Sequence, residues 1–416
     1  MWSSPHARRV IYARFISRIG GEAAFFVGIW GKAAFDLRAD PSQLALVMGA
    51  LGVASLIGAS VAGVLVDRFN PRRVVMWGEI LFIPVAVSMV FADSIPTLAL
   101  TTFAFGLVGA PIHTAISSFA PFLTDNEDDL ARMNGLIEGS VWVAFIIGPA
   151  AGAVIAGSIG VDGIFVLNAL TAATAAFLVA PVQLRSSDRV RVEGATGMSE
   201  LRDGFRYTYG HERLRFYILL GSSVWLLFGF FSALEPLFFR DVVGVGVETL
   251  GWVNSLIGVG LVTGTWIASR LPQHLRSART LTLLVGLNAL GVVAYVGTGI
   301  LPVVMTAGVI WGALIGMLVP LHRTLIQVNA PDEMVGRIMG VNQMHSEVGH
   351  LIPLTFAPFL AAQFGVQATM LSSGLVILVA AFLFWPGARR LDRTRHVEVP
   401  VPEIPDPDTG PMSLGH

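Results

Sequence analysis

Apolar runs of about 20 residues or more recur along this chain, and that is the length a helix needs to cross the hydrocarbon of a bilayer. Cut at charged or Pro- and Gly-rich breaks, they cover residues 10–35, 43–66, 74–92, 97–123, 133–160, 163–182, 215–240, 247–270, 278–300, 302–328, 337–363 and 366–386. In hydrocarbon the backbone has to satisfy its own hydrogen bonds, so runs this long become helices. The pattern predicts an all-α polytopic membrane protein with 12 transmembrane helices. Composition agrees: 54% of residues are hydrophobic and 13% charged, with a mean hydropathy of +0.69, whereas soluble chains carry about 25% charged residues. Cysteine is absent, which excludes disulfides and thiolate metal sites. The first run follows Arg8 and Arg9 but carries charge and is too long for a signal sequence, so it reads as the first span.

The runs fall into two sets of six, which divides the chain into residues 1–182, a polar Arg-rich connector at 183–214 expected to contain a surface helix, residues 215–386, and a tail at 387–416. The tail is Pro-rich and acidic and is expected to be disordered. An even number of spans puts both termini on one side. Arg8, Arg9, Arg68, Arg72, Arg73, the connector, Arg270, Arg276, Arg279 and the arginines from Arg389 onward share that side, while Lys32, Arg38 and Arg240 lie near the other. By the positive-inside rule both termini and the connector are cytoplasmic.

Within these spans a few ionisable residues stand out, because a charge in hydrocarbon is costly and marks an ion, proton or substrate path by default. Glu138 lies about two turns inside the fifth run, in RMNGLIEGSVWVAFIIGPAAG, where burial is expected to favour its neutral form. Gly148, Pro149 and Gly152 follow it and permit close helix packing and a bend. Arg337, Gly340, Gln343 and Pro353 repeat the order of Arg132, Gly135, Glu138 and Pro149 at an offset of about 205 residues, so two pseudo-symmetric halves are expected. In the first run Arg14, Arg18 and Glu22 share one face, with Glu22 about 18 Å in, near mid-bilayer. Glu22 reads either as a functional acid or as the structural partner of Arg18.

The loop after the second run reads GVLVDRFNPRR, with Gly63, Asp67, Arg68, Arg72 and Arg73 in G-x-x-x-D-R-x-x-x-R-R order. This resembles the signature of the major facilitator superfamily and stands where that family carries it. The resemblance implies a twelve-helix fold of two six-helix halves, and a latch in which Asp67 closes the cytoplasmic side against the eleventh helix, near Arg337. The bland alternative is a cluster that only fixes topology. The G-P-x-x-G of Gly148 to Gly152 resembles the antiporter motif of that family. Together with RMNG, the acid, the ARFIS run from Ala13 and the GRIMGV run from Gly336, it resembles the twelve-helix drug-efflux branch that includes macrolide exporters, the enterobactin exporter and mycobacterial multidrug pumps. One departure is that many proton-coupled drug exporters carry an Arg in helix four, where this chain has His113.

The eleventh run places Gln343, Glu347 and His350 on one stripe, matching the stripe of Glu138, Trp142 and Phe145 in the fifth. His345 faces elsewhere, which weakens a metal reading of His345, Glu347 and His350. Glu235, before Pro236, either gates the outer mouth or sits exposed at the interface. Trp142 and Phe145 are the aromatic candidates for a pocket taking an amphipathic substrate.

These features imply a secondary transporter working by alternating access, with export of amphipathic drugs in exchange for protons as the expected direction. Glu138, Glu22 and Glu347 are the candidate proton carriers. A dedicated siderophore or lipid transporter, or a sensor on the same scaffold, is the alternative. Enzyme activity is not expected, since no nucleotide loop, metal cluster or nucleophile and base spacing appears. No cofactor, metal or nucleic acid partner is expected, and the chain is expected to act as a monomer in a bacterial cytoplasmic membrane.

Overall fold

The computed structural model describes residues 5–123, 127–184 and 198–393. The first half runs through α1 (Pro5–Ala23), α2 (Pro41–Arg68), α3 (Pro71–Val90), α4 (Ile95–Ser117), α5 (Glu127–Ile159) and α6 (Asp162–Val179). A connector helix, α7 (Met198–Gly210), leads to α8 (Glu212–Ser222), α9 (Trp225–Leu237), α10 (Val247–Ser269), α11 (Ala278–Val296), α12 (Leu301–Asn329), α13 (Val335–Phe364) and α14 (Val366–Arg393). The segments α8 and α9 form one span that ends at Val243. Ten spans are long and apolar enough to cross a bilayer, and α1 and α13 bring the total to twelve among the described residues. The two that fall short of the hydropathy of the rest are the helices carrying Arg14, Arg18 and Glu22, and Gln343, Glu347 and His350. Polar side chains there lower apolar character where the protein needs polar chemistry.

Both α1 and α9 change winding partway across. Past Ala23, α1 continues through π-helical stretches at Ala24–Ile29 and Lys32–Asp36, and α9 continues through one at Phe238–Val243. Helix starts carry their caps: Asp40 accepts from the backbone N–H of Gln43 at 2.9 Å ahead of α2, and Asn70 accepts from that of Arg72 at 3.0 Å ahead of α3. The last helix runs on to Arg393, past the limit at residue 386 read from hydropathy. Residues 387–393, placed above in the tail, are helical because Asp392 accepts from the backbone N–H groups of Ala278 and Arg279 at 2.9 and 3.1 Å, and Arg390 pairs with Glu212. The remaining tail from residue 394 lies outside the described residues.

Helix packing relies on small residues, as expected where lipid tails remove the hydrophobic drive between helices. Gly260 and Gly264 of α10 face the backbone of α12 so closely that a Cβ at either would overlap Val309 or Ala313, and Gly312 and Gly316 of α12 do the same against Ile257 and Leu261.

With twelve spans, Pro5 and Arg393 lie at one end of the bundle, here the terminal side; the other is the far side. Contacts between halves gather from mid-depth to the far side. Arg240 donates to the carbonyls of Ala34 and Ala39 at 2.7 and 3.0 Å, Ser255 donates to that of Ile146 at 2.7 Å, and Val247 packs on Gly31, where an added Cβ would lie 2.6 Å away. Toward the terminal side the pseudo-equivalent helices α5 and α13 each leave one face uncovered. A Cβ added at Gly135, Gly139, Gly336 or Gly340 meets nothing within 4 Å among the described residues. The space between the halves is therefore closed at the far side and open at the terminal side.

Candidate functional site

A buried polar network fills the interior of the first half. Arg14 of α1 is 6% exposed and its Nη1 donates to His113 Nδ1 of α4 at 2.7 Å, while Arg18 Nη1 lies 3.2 Å from His113 Nε2. A neutral imidazole offers one lone pair, so it accepts from one guanidinium at a time. Arg18 also pairs with Glu22 one turn on, and Glu22 is 5% exposed. Of the two readings of Glu22, the ion pair with Arg18 is present. The guanidinium missing from the fourth helix is thus supplied by α1, against His113.

Glu79 of α3 completes the network and was missed in the sequence. It is 1% exposed, accepts from the Ser17 hydroxyl, lies within electrostatic reach of Arg14, and has its Oε1 buried without a hydrogen-bond partner among the described residues. A lone acid inside the apolar stretch Val74–Val90 was the signal available, the same one that singled out Glu138. Arg14 Nε and Arg18 Nε are likewise buried and unpartnered. Buried groups left short of hydrogen bonds are uncommon, and their concentration marks a functional centre more than a stability element.

Glu138 differs from expectation. It is exposed, not buried, while lying within electrostatic reach of Arg14. The reason is the gap between the halves: Gly135 and Gly139 flank Glu138 on the uncovered part of α5. The carboxylate thus stands at the terminal-side mouth of the buried network. Farther along α5, the Gly-Pro motif is where three helices meet. A Cβ at Gly148 would lie 2.6 Å from Glu22 Cβ and 2.9 Å from the Ile19 carbonyl; one at Gly152 would lie 2.9 Å from Val27; and the Pro149 carbonyl lies 2.7 Å from where Gly251 of α10 would carry a Cβ. The motif therefore presses α5 onto the backbone segment of α1 that holds Glu22, and onto the other half through α10.

Phe145 meets Phe26 edge-on at 5.1 Å and packs with Ile146 against Gly258, while Trp142, one turn earlier, is half-buried. On α13, Gln343 donates to Glu347 at 2.7 Å, both are exposed, and His350 lies 3.4 Å from the Ser232 hydroxyl of α9. His345 turns to the connector helix, where it accepts from Tyr209 at 2.8 Å. Glu235 is neither a lining group nor an exposed one: it is 4% exposed and accepts from the Tyr295 hydroxyl of α11 at 2.6 Å. Rings of Phe231, Phe238, Phe239 and Trp311 surround Tyr295.

Four of the latch residues have described side chains. Arg72 donates to the Ala180 carbonyl at the end of α6, Arg337 lies 3.9 Å from Asp203 of α7, and Arg68 and Arg73 are exposed. The side chains of Gly63 and Asp67 lie outside the described residues.

The Major Facilitator Superfamily model matches residues 10–353. The multidrug efflux pump Tap of Mycobacterium tuberculosis is 26% identical, with 94% of this chain and 96% of that protein covered. Macrolide efflux protein A of Streptococcus pyogenes is 23% identical over 80% of this chain and 86% of its own length. Among solved structures, a bacterial homolog of the human lysosomal transporter Spinster, inward-facing and unoccupied, superposes with a TM-score of 0.74 at 13% identity, covering 94% of this chain and 98% of its own. The nucleoside transporter NupG gives 0.73 at 11% identity, covering 92% and 98%. These likenesses at low identity concern the fold, and the family model extends over both halves. The chain is a multi-pass membrane transporter, not an enzyme, and it belongs to the major facilitator superfamily.

Proposed function

We propose that this transporter exports amphipathic small molecules of the drug class across a bacterial cytoplasmic membrane, in exchange for protons. The observation that carries the reading is the path from exposed Glu138 into the buried network of Arg14, His113, Arg18 and Glu22. In that network a change of one charge alters the partners of the rest, and Gly148 couples Glu22 to the packing of α5 on α1. A proton taken up by Glu138 while the far side is open removes its attraction to Arg14. Loss of the proton restores it, so substrate and proton alternate in biasing the two conformations. The arginines gathered on the terminal side support a cytoplasmic placement of that side. Efflux relatives named for multidrug and macrolide export support the substrate class.

Purified protein offered a panel of lipophilic dyes and macrolides alongside an iron-free siderophore tests that class. Saturable binding of the dyes or macrolides, with the siderophore failing to compete, is expected. Binding of the siderophore alone contradicts it.

A further inference from the structure

The first helix of each half carries the same five-residue pattern. Glu22-Ala23-Ala24-Phe25-Phe26 on α1 and Glu235-Pro236-Leu237-Phe238-Phe239 on α9 both read E-x-x-F-F. In each, the acid is buried, the two rings meet edge-on at 4.6 and 5.8 Å, and a π-helical stretch begins within three residues of the acid. Such π-helical insertions cluster at functional sites. The two acids differ in their partners. Glu22 has Arg18, whereas Glu235 has the Tyr295 phenol and no cation among the described residues.

The charged neighbours of Glu235 are turned away or lie at a distance. Arg240, on its own helix, is committed to Asp241 and to the carbonyls of Ala34 and Ala39. From α13 come His350, one turn back beside Ser232, and Glu347, which interacts with His350. Beyond Tyr295 of α11, no titratable group of α2, α13 or α14, the other helices packed on α9, acts on Glu235 among the described residues.

We infer that Glu235 is a second proton-carrying acid, in the second half, and that its protonation accompanies closure of the far side. The inference deepens the proton-exchange reading and depends on it for direction. Sealing a carboxylate away from water with one phenol and no cation is costly, while the acid form can be buried at small cost. When the far side opens, water reaches Glu235 and the charged form is tolerated. When it closes, as Arg240 bridges to Ala34 and Ala39, the carboxylate takes up a proton from far-side water. The polar groups that lead onward are Ser232, then His350, then Glu347 at the terminal-side opening, where the proton leaves to water. Glu22, neutralised by Arg18, is buried in the same way without needing a proton.

The test uses the full chain, which has no native cysteine, reconstituted in nanodiscs with a single cysteine at Val247, the side chain that packs on Gly31 across the halves. Labelling of this cysteine reports far-side opening. It should fall as pH is lowered in the otherwise unchanged protein, and stay low and flat with pH in Glu235→Gln. Tyr295→Phe removes the donor to the charged form, and should move the labelling midpoint to higher pH by about one unit or more. A Glu235→Gln protein with the unaltered pH response, an unaltered protein with no pH response, or a Tyr295→Phe midpoint that does not move would overturn the inference. Transport driven by a pH gradient, measured on the same preparation, tests proton exchange separately. If that fails while labelling still follows Glu235, the exchange reading falls and the assignment of Glu235 stands.

Discussion

Glu22 and Gly148 are one contact seen from two helices, and altering either side should destabilise it by a different physical cause. Glu22→Gln leaves the partly buried Arg18 without its counter-charge, and breaking a fully buried pair from one side costs about 3–5 kcal/mol, an upper bound here because Arg18 keeps some contact with solvent. The expected result is a lower melting temperature in detergent, with restoration when Arg18 is changed to Gln as well. A double variant no more stable than Glu22→Gln would show that the pair does not hold the site. Gly148→Val forces methyl groups into the space of Glu22 Cβ, and overpacking of this kind costs about 1–3 kcal/mol. Its expected signature is loss of transport together with reduced stability; full transport would mean that α5 does not need to lie on α1. The sequence made Glu22 and the Gly-Pro motif visible because both break the rules of an apolar helix. It did not show that they touch, since contact between residues so far apart in the chain depends on tertiary packing.

At the scale of elements, periodicity found every span, because crossing hydrocarbon leaves few alternatives to a helix of this length. Hydropathy alone ended α14 at residue 386, whereas Asp392 capping α11 carries it to Arg393. The π-helical turns in α1 and α9 follow from no propensity in the sequence, although the E-x-x-F-F repeat lies beside both. Glu138 was expected to be buried because its own helix is apolar. Its exposure is set by the gap between α5 and the other half, which no single helix encodes. Arg240 closes the far side through two backbone carbonyls of α1's end. Hydrogen bonds from a charged donor are worth about 1.5–3 kcal/mol each, so Arg240→Ala should raise far-side labelling of a cysteine at Val247 at least tenfold. Unchanged labelling would mean that the packing of Val247 on Gly31 suffices for closure.

The whole molecule joins a far-side seal, a buried charge network and a terminal-side opening, and its orientation decides which way substrate moves. A cysteine at Phe69, exposed between α2 and α3 on the terminal side, should resist an impermeant thiol reagent in intact cells and react once they are permeabilised. Labelling in intact cells would reverse the orientation and with it the direction of transport. The fold class was legible from the runs. The pairing of Arg14 and Arg18 with His113 was not, because the arginine expected on helix four is supplied by a different helix. Proton exchange through Glu138 is tested most directly in proteoliposomes that hold the protein in one orientation, by following a lipophilic dye under an imposed pH gradient. The unaltered protein should accumulate dye against its gradient, and Glu138→Gln should exchange dye for dye without accumulating it. Accumulation by Glu138→Gln equal to that of the unaltered protein, or accumulation by the unaltered protein with no pH gradient present, would contradict it.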